Sequence, residues 1–186
     1  MEPALIVVGV AVLIPVIWWV VVYNRFVRLK HTVRESWADI DVELKRRYEL
    51  IPNLVETVKG YAKHERDVLE RVAELRSRAM ANHGSAASQG KDENALLLGL
   101  RSLFVVAERY PELKSDAHFL ALQEELALTE DRIAAARRFF NGNVRELRDL
   151  RESFPTSLVG AMAGVEEPSF FELDDENERV VPRVRI

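Results

Sequence analysis

Histidine and carboxylate side chains are the groups in this chain that could bind a metal ion or transfer a proton. The four histidines, His31, His64, His83 and His118, lie far apart in the sequence. His64 is followed by Glu65, but a zinc-binding helix of the His-Glu-x-x-His type needs a second histidine four residues after the first, and none stands there. The spacing predicts no metal site and no bound cofactor.

The sequence also lacks motifs for nucleophilic or phosphate-binding chemistry. It has no Gly-x-Ser-x-Gly turn and no glycine-rich loop after a strand. Three carboxylates that could face a helical interior, Glu65, Glu108 and Glu130, lack the Glu-x-x-His repeats of a di-iron bundle. Cysteine is absent, which excludes disulfides and thiolate metal sites. We predict that the protein is not an enzyme.

Four polar residues lie at or beside interior positions of predicted helices: Glu65, Glu130, Arg137 and Asn141. We interpret them as a buried or half-buried network, which requires every member to be hydrogen-bonded and which fixes the helix register. A pocket for a ligand or a partner is the alternative interpretation.

An apolar segment near the start of the chain has the length of a membrane span. Residues 3–23 contain no charged side chain and would extend roughly 30 Å as a helix, about the thickness of the hydrocarbon layer. The segment ends in bulky residues, including Trp18, Trp19 and Tyr23, where a cleaved signal peptide needs small ones. We predict that residues 1–23 are an uncleaved transmembrane anchor.

The flanking charges predict the orientation of this anchor. Glu2 precedes it, whereas four basic residues follow before the first acid, Glu35: Arg25, Arg28, Lys30 and Arg34. Basic residues resist transfer across a membrane. We expect the lipid bilayer of the inner (plasma) membrane as one partner, with the amino terminus outside and the carboxy-terminal domain in the cytoplasm.

The remaining charges exclude one class of partner. The net charge is −4, and the basic residues are interleaved with acids instead of forming a stripe with aromatic residues. Nucleic-acid-binding proteins carry such a basic stripe or patch, so we expect no nucleic-acid partner.

Apolar residues from Val33 onward recur at alternating steps of four and three. This period near 3.5 is typical of a coiled coil and predicts one buried stripe on a long helix. The stripe consists of Val33, Trp37, Ile40, Leu44, Tyr48, Ile51, Val55, Val58, Ala62, Leu69, Val72, Leu75 and Ala79. Pro52 interrupts it without changing its phase. A kinked, nearly continuous helix is our first choice, and two helices with a break at residues 50–53 are the alternative.

Further helices follow. We expect a loop over residues 82–90, a helix over 92–110, a long helix that ends at Pro155, and a short helix over 156–164. Ser115 and Asp116 are the predicted caps of the long helix. Gly142 lies inside that helix and costs it roughly 1 kcal/mol relative to alanine.

These elements predict an all-α protein. Three or four long helices form an up-and-down antiparallel bundle over residues 24–164. Residues 165–186 are predicted to be a flexible tail, disordered because seven acids lie between residues 166 and 178. Within it we expect Phe170 and Phe171 to dock on the bundle. The tail as a peptide ligand for a partner is the alternative.

Three stretches of the sequence resemble the LemA family of bacterial membrane proteins: WADIDVELKRRYELIPNLVETVKGY (residues 37–61), VAERYPELK (106–114) and LTEDRIAAARRFFN (128–141). The resemblance implies an amino-terminal single-pass anchor and an all-α bundle, and it implies no established catalytic activity. The sequence differs from the family pattern at Phe140, where the family usually has a tyrosine before the asparagine that is Asn141 here. Because phenylalanine has no hydroxyl group, this difference argues against a hydroxyl-dependent contact at that position.

Function is predicted from the anchor, the charged helices and the resemblance together. We expect a membrane-anchored scaffold that binds another membrane protein or a second copy of itself, with Arg46, Arg47 and Asn53 at the predicted bend as an exposed recognition surface. The family often occurs beside a membrane-embedded zinc metalloprotease, so the resemblance implies that enzyme as a partner and an adaptor role in envelope quality control. The alternative is a bundle that binds a lipid or small ligand in a cavity lined by Trp37, Phe104 and Phe140.

Overall fold

The structure, a computed structural model, describes residues 2–164 and 168–173. Over these residues it is all-α, without strands, which confirms the predicted fold class. The helices are α1 (Glu2–Tyr61), α2 (Arg66–Ala81), α3 (Ala86–Glu108), α4 (Pro111–Lys114), α5 (Ala117–Glu152) and α6 (Thr156–Met162).

Helix α1 runs unbroken through Pro52. The prediction of a nearly continuous helix is confirmed, and the alternative of two helices is wrong. Pro52 has no N–H to donate to the carbonyl oxygen of Tyr48, four residues earlier. Arg76 of α2 supplies a donor instead, because its Nε lies 2.6 Å from that oxygen. The proline therefore leaves no acceptor unsatisfied at this point of α1.

The chain first leaves the helical conformation at residues 62–65. The apolar stripe predicts no interruption here, because Ala62 and Leu69 are seven residues apart and keep its phase. The stripe is nevertheless shared by two helices. Helix α2 returns along α1, as the contact between Arg76 and Tyr48 requires.

Helix α3 begins at Ala86, so the predicted loop over residues 82–90 is wrong in its second half. Ser85 caps the helix, because its side chain accepts a hydrogen bond from the N–H of Ser88 at 3.2 Å. Gln89 and Gly90 are buried. This small, polar stretch is helical because it is capped and packed against the rest of the chain.

Helix α5 is capped by Asp116 as predicted, since its Oδ1 accepts a hydrogen bond from the N–H of Phe119 at 2.8 Å. Ser115 does not cap α5; it stands at the carboxy-terminal end of α4. Its hydroxyl donates to the carbonyl oxygens of Pro111 and Glu112, which both belong to α4. The predicted short helix after Pro155 is present as α6.

The chain divides into two compact units. Unit 1 contains residues 1–40 and 136–168. In it, the first part of α1 pairs with the last part of α5, where the rings of Trp37 and Phe140 are 5.2 Å apart. Helix α6 packs on α1 through Gly160, which faces the ring of Phe26.

Unit 2 contains residues 41–135 and 169–186. The last part of α1 pairs with the first part of α5 through Arg47 and Glu130, and α2 packs on α3 where Leu75 faces Gly99. Buried apolar side chains fill its core: Leu44, Ile51, Leu54, Val58, Leu69, Val72, Leu75, Leu96, Leu100, Leu103 and Ile133.

Residues 168–173, within the predicted flexible tail, dock on α3. Phe171 is fully buried, which confirms its expected docking. The Ser169 hydroxyl accepts a hydrogen bond from the N–H of Ala87 at 3.2 Å. The carbonyl oxygen of Glu172 lies so close to Gly90 that a Cβ on Gly90 would be 2.4 Å from it. Residues 165–167 and 174–186, with most of the acids of the tail, lie outside the described residues.

Candidate functional site

One helix of the described chain, α1, is long and apolar enough to cross a membrane by length and composition. Only 11% of its apolar window is buried within the protein, so this segment is not a core helix. Its exposed apolar side chains include Val10, Val12, Leu13, Ile14, Val16, Ile17, Val20 and Val21. The predicted anchor therefore has the surface that a lipid-facing helix requires.

A buried cluster of charges lies in unit 2 and joins α1, α3 and α5. Arg47 of α1 and Glu93 of α3 are both 0% exposed and form an ion pair. The Nη1 atom of Arg47 is 2.8 Å and 3.0 Å from the two carboxylate oxygens of Glu130 on α5. A single guanidinium thus holds three helices together, which is the geometry that arginine favours.

Two further side chains complete the hydrogen bonds of Glu93. The Tyr48 hydroxyl donates to its Oε1, and the amide nitrogen of Gln89 donates to the same oxygen at 2.7 Å. The Gln89 amide also donates to the carbonyl oxygen of Ala79 at 3.0 Å. Glu93 is buried but accepts from three donors, as a buried carboxylate must to offset its desolvation.

We call Arg47, Tyr48, Gln89, Glu93 and Glu130 the ionic cluster, and its arginine and tyrosine have raised pKa values. Burial opposes the charge on Arg47, but the carboxylates of Glu130 and Glu93 outweigh that effect and raise the pKa of the guanidinium above its ordinary value. Burial and the adjacent Glu93 carboxylate raise the pKa of the Tyr48 phenol. Arg47 therefore stays charged and Tyr48 stays neutral near pH 7, so the cluster is suited to holding helices in register and not to moving protons.

The expected recognition surface of Arg46, Arg47 and Asn53 needs one correction. Arg46 and Asn53 are exposed, but Arg47 is wholly buried. Its position explains why. The buried residues of this part of α1 follow steps of four and three, and Arg47 takes one of those steps: Ile40, Leu44, Arg47, Ile51, Leu54 and Val58.

Arg46 and Asn53 belong to an exposed stripe on α1. Val42, Arg46, Glu49 and Asn53 are spaced by four, three and four residues, so they share one face of the helix, and all four are exposed. Val42 is 62% exposed although it is apolar. We call these four residues the α1 stripe.

The four residues predicted to form one polar network are placed differently. Glu130 belongs to the ionic cluster, whereas Glu65 is half-buried and pairs with Arg109 at 3.1 Å. Arg137 and Asn141 are half-buried in unit 1. Glu65 and Glu130 thus take part in two different ion pairs, and the network that links all four residues stays a prediction.

Sequence reasoning missed Glu93 and Gln89, although a signal for both exists. The apolar positions of α3 include Leu96, Leu100 and Leu103, at steps of four and three. Extending the same steps backwards reaches residues 93 and 89, so both polar side chains stand on the buried face.

The aromatic rings expected to line a ligand cavity contact other rings. Trp37 packs on Phe140, and Phe104 packs edge-on against Phe119 with ring centres 6.3 Å apart. In the part of the chain that the structure describes, no three His, Cys, Asp or Glu side chains gather as a metal site would need.

The comparison with known sequences decides the family. The sequence profile of the LemA family matches residues 36–186. The chain belongs to the LemA family. This match confirms the resemblance and includes both the ionic cluster and the α1 stripe, and it begins after the apolar segment.

Curated relatives of this LemA-family chain carry two kinds of name. Protein LemA of Metamycoplasma hominis is 23% identical over 158 residues, which cover 84% of this chain and 71% of the relative. Magnetosome protein MamQ of Magnetospirillum gryphiswaldense is 22% identical over 174 residues, which cover 80% of this chain and 64% of the relative. Magnetosome protein MamQ 2 of Paramagnetospirillum magneticum is 23% identical over 175 residues, with 81% and 64% covered. The chain spans less than two thirds of the length of these MamQ relatives.

Proposed function

We propose that this LemA-family protein is a membrane-anchored interaction protein without enzymatic activity, and that it binds partners through the α1 stripe. The observation that carries the proposal is the exposure of Val42 one turn from Arg46, with Asn53 further along the same stripe, on a helix whose opposite face is packed. A stripe that combines an apolar side chain, a cation and an amide offers both contact area and directional hydrogen bonds to another protein.

The buried face of the same helix supports this division of roles. Arg47, one residue from Arg46, pairs with Glu93 and Glu130 through its two terminal nitrogens. The cluster therefore holds this part of α1 in one orientation and presents residues 42, 46, 49 and 53 to solvent together. A rigid surface loses less conformational entropy on binding than a flexible one.

The membrane placement forms the second part of the proposal. The apolar segment of α1 crosses the inner membrane with the amino terminus outside, because basic residues follow it and resist translocation. A reporter that is active only in the cytoplasm, fused after Ile186, tests this. Activity is expected, and a well-expressed but inactive fusion would reverse the proposed orientation.

The partner is proposed to be another membrane protein, with a membrane-embedded zinc metalloprotease as the concrete adaptor version, or a second copy of this chain. A photo-reactive amino acid in place of Asn53, in the full chain in intact membranes, tests this with mass spectrometry of the cross-linked products. The matched control carries the same group in place of Glu70, an exposed residue of α2 with a 70% exposed side chain.

Each outcome of this experiment has a defined meaning. Recurrent capture of one membrane protein from position 53 and not from position 70 supports an adaptor. Capture of the chain itself from position 53 alone supports a self-associating scaffold. Equal capture from both positions, or none from either, contradicts the α1 stripe as the interaction surface.

A further inference from the structure

Three large apolar side chains are exposed within a short stretch at the end of unit 1. Phe154, Leu158 and Met162 are 83%, 56% and 77% exposed. They are four residues apart, and residues 153–165 contain no charged side chain. Leu158 and Met162 share one face of α6, and Phe154 lies two residues before that helix. An exposed apolar cluster of this kind marks a surface that contacts a membrane or another molecule.

The pairing of α1 with α5 gives the level of this stretch along α1. Trp37 and Phe140 are in contact, and the two helices are antiparallel with the same rise per residue. Arg25, the first charged residue after the apolar segment, also contacts α5, because its Nη2 lies 3.1 Å from Oε1 of Glu146. Helix α5 continues for six residues beyond Glu146 to Glu152, so it ends close to the boundary of the apolar segment.

Helix α6 gives the same level independently. A Cβ on Gly160 would lie 3.0 Å from the ring of Phe26, so α6 sits directly against this residue. Phe26 is three positions after Tyr23, which corresponds to about 4.5 Å along the helix. The headgroup layer extends about 5–7 Å beyond the hydrocarbon on each side of a bilayer. Helix α6 therefore lies within headgroup distance of the end of the apolar segment.

The packed face of α1 extends into the apolar segment itself. Val22 is 7% exposed, whereas the adjacent Val21 is 56% exposed. The other helices of unit 1 therefore pack on α1 as far as Val22, in the last turn before the charged residues begin. No gap separates the packed part of unit 1 from the surface that the bilayer would cover.

We propose that residues 154–162 form a second membrane contact, with Phe154, Leu158 and Met162 inserted into the headgroup layer of the bilayer that the anchor crosses. This rests on the proposed membrane anchor. The lipid surface is the occupant because the exposed apolar stretch lies next to the end of the lipid-facing segment of α1, at headgroup distance from it. Exposed basic residues next to this level, Arg28 and Lys30, favour anionic headgroups.

The absence of cysteine makes the test direct, because single cysteines can be introduced for labelling without removing any. The full chain is prepared with Met162→Cys, labelled with an environment-sensitive fluorophore, and placed in nanodiscs of phosphatidylcholine and phosphatidylglycerol with and without lipids brominated near the headgroup. Phe139→Cys is the matched control. Phe139 is 58% exposed on α5, but it lies at the level of Trp37, fourteen residues beyond the end of the apolar segment at Tyr23. Val12→Cys reports on the anchor, and its quenching is measured with lipids brominated near the ends of the acyl chains, because position 12 lies near the middle of the apolar segment.

The expected result is a blue-shifted emission at position 162 and quenching by brominated lipid several-fold greater than at position 139. Water-like emission at position 162 with strong quenching at position 12 would overturn this inference and leave the anchor intact. Weak quenching at position 12 would overturn both. A blue shift at position 162 that depends on protein density and not on brominated lipid would assign the surface to a second copy, and would also overturn the inference.

Discussion

The guanidinium of Arg47 and the carboxylate of Glu130 form an ion pair in which one nitrogen, Nη1, is 2.8 Å and 3.0 Å from the two carboxylate oxygens. The other terminal nitrogen of Arg47 pairs with Glu93. Arg47 thus compensates two carboxylates, of which Glu93 is fully buried and Glu130 has a 30% exposed side chain.

Removal of Arg47 should destabilise the protein strongly. Arg47→Met leaves the buried carboxylate of Glu93 without its cation, and an uncompensated buried charge costs about 3–5 kcal/mol. For a chain of this size the Tm should fall by roughly 6–20 °C. Circular dichroism of the full chain in detergent micelles during heating measures this.

Two companion variants separate the charge from the packing. Arg46→Met changes an exposed neighbour and should alter stability by no more than about 0.5 kcal/mol. Glu93→Gln combined with Arg47→Met should recover part of the lost stability, because no charged carboxylate then remains fully buried. Equal Tm values for Arg47→Met and wild type would show that the ionic cluster does not stabilise the fold.

The hydrogen bond from Arg76 to Tyr48 should be coupled to Pro52. Arg76→Met removes the donor that replaces the missing N–H of Pro52, and we expect a loss of about 1.5–3 kcal/mol, typical of a hydrogen bond from a charged group. In a Pro52→Ala background the backbone donor returns, so the same substitution should cost clearly less. A double-mutant cycle on the Tm of the full chain measures the coupling, and strictly additive effects would contradict it.

Gly90→Ala should release residues 168–173 from α3. The new Cβ would lie 2.4 Å from the carbonyl oxygen of Glu172, so the segment must move away and expose Phe171. We expect faster chymotrypsin cleavage after Phe170 or Phe171 under native conditions, and a loss of about 1.5–3 kcal/mol from the buried ring. Unchanged cleavage would mean that the segment can shift without leaving its site.

Gly142→Ala should have the opposite effect on stability. Gly142 is exposed and lies away from both ends of α5, and a Cβ there would meet nothing within 4 Å. Alanine should stabilise the helix by about 1 kcal/mol and raise the Tm by roughly 2–4 °C. Thermal unfolding of the full chain measures both glycine variants side by side, and a Tm below the wild-type value would contradict the open surroundings of Gly142.

Acid should weaken the cap of α5. The N–H of Phe119 and the hydroxyl of Tyr61 donate to Asp116 and hold its pKa below the ordinary value of 3.8. Because the folded pKa is depressed, the stabilisation is complete above the ordinary value and is lost as the pH falls through the folded one.

Asp116→Asn isolates this effect, since asparagine can cap the helix but does not titrate there. The Tm advantage of the wild type over this variant should stay constant well above pH 3.8 and shrink as the pH falls below that value, because the folded pKa of Asp116 is lower still. A constant advantage of the wild type over Asp116→Asn across the range would rule out titration of Asp116 as the cause.

The sequence predicted the helical fold well because its apolar positions keep a helical period over most of the chain. The same regularity concealed the break at residues 62–65, since the chain reverses there without any change in the spacing from Ala62 to Leu69. Short connections that contain neither proline nor glycine give no composition signal.

The site is harder to predict because a charged side chain normally indicates an exposed position. Arg46 and Arg47 are adjacent and identical in type, yet one faces solvent and the other is buried. Only the helical phase distinguishes them. The partners that make the burial of Arg47 favourable lie 46 and 83 residues further along the chain, so no local pattern identifies them.

The order of segments along the chain affects how the protein can be dissected. Unit 2 needs residues 41–135 and also Phe171, and the second stretch of unit 1 lies between them. A deletion series from the carboxy terminus removes a ring from the core of unit 2 before it shortens any helix of unit 1. A truncation that removes Phe171 would therefore damage the core of unit 2. If such a truncation lost partner binding, the loss would wrongly be taken as evidence that the acidic tail is a docking sequence.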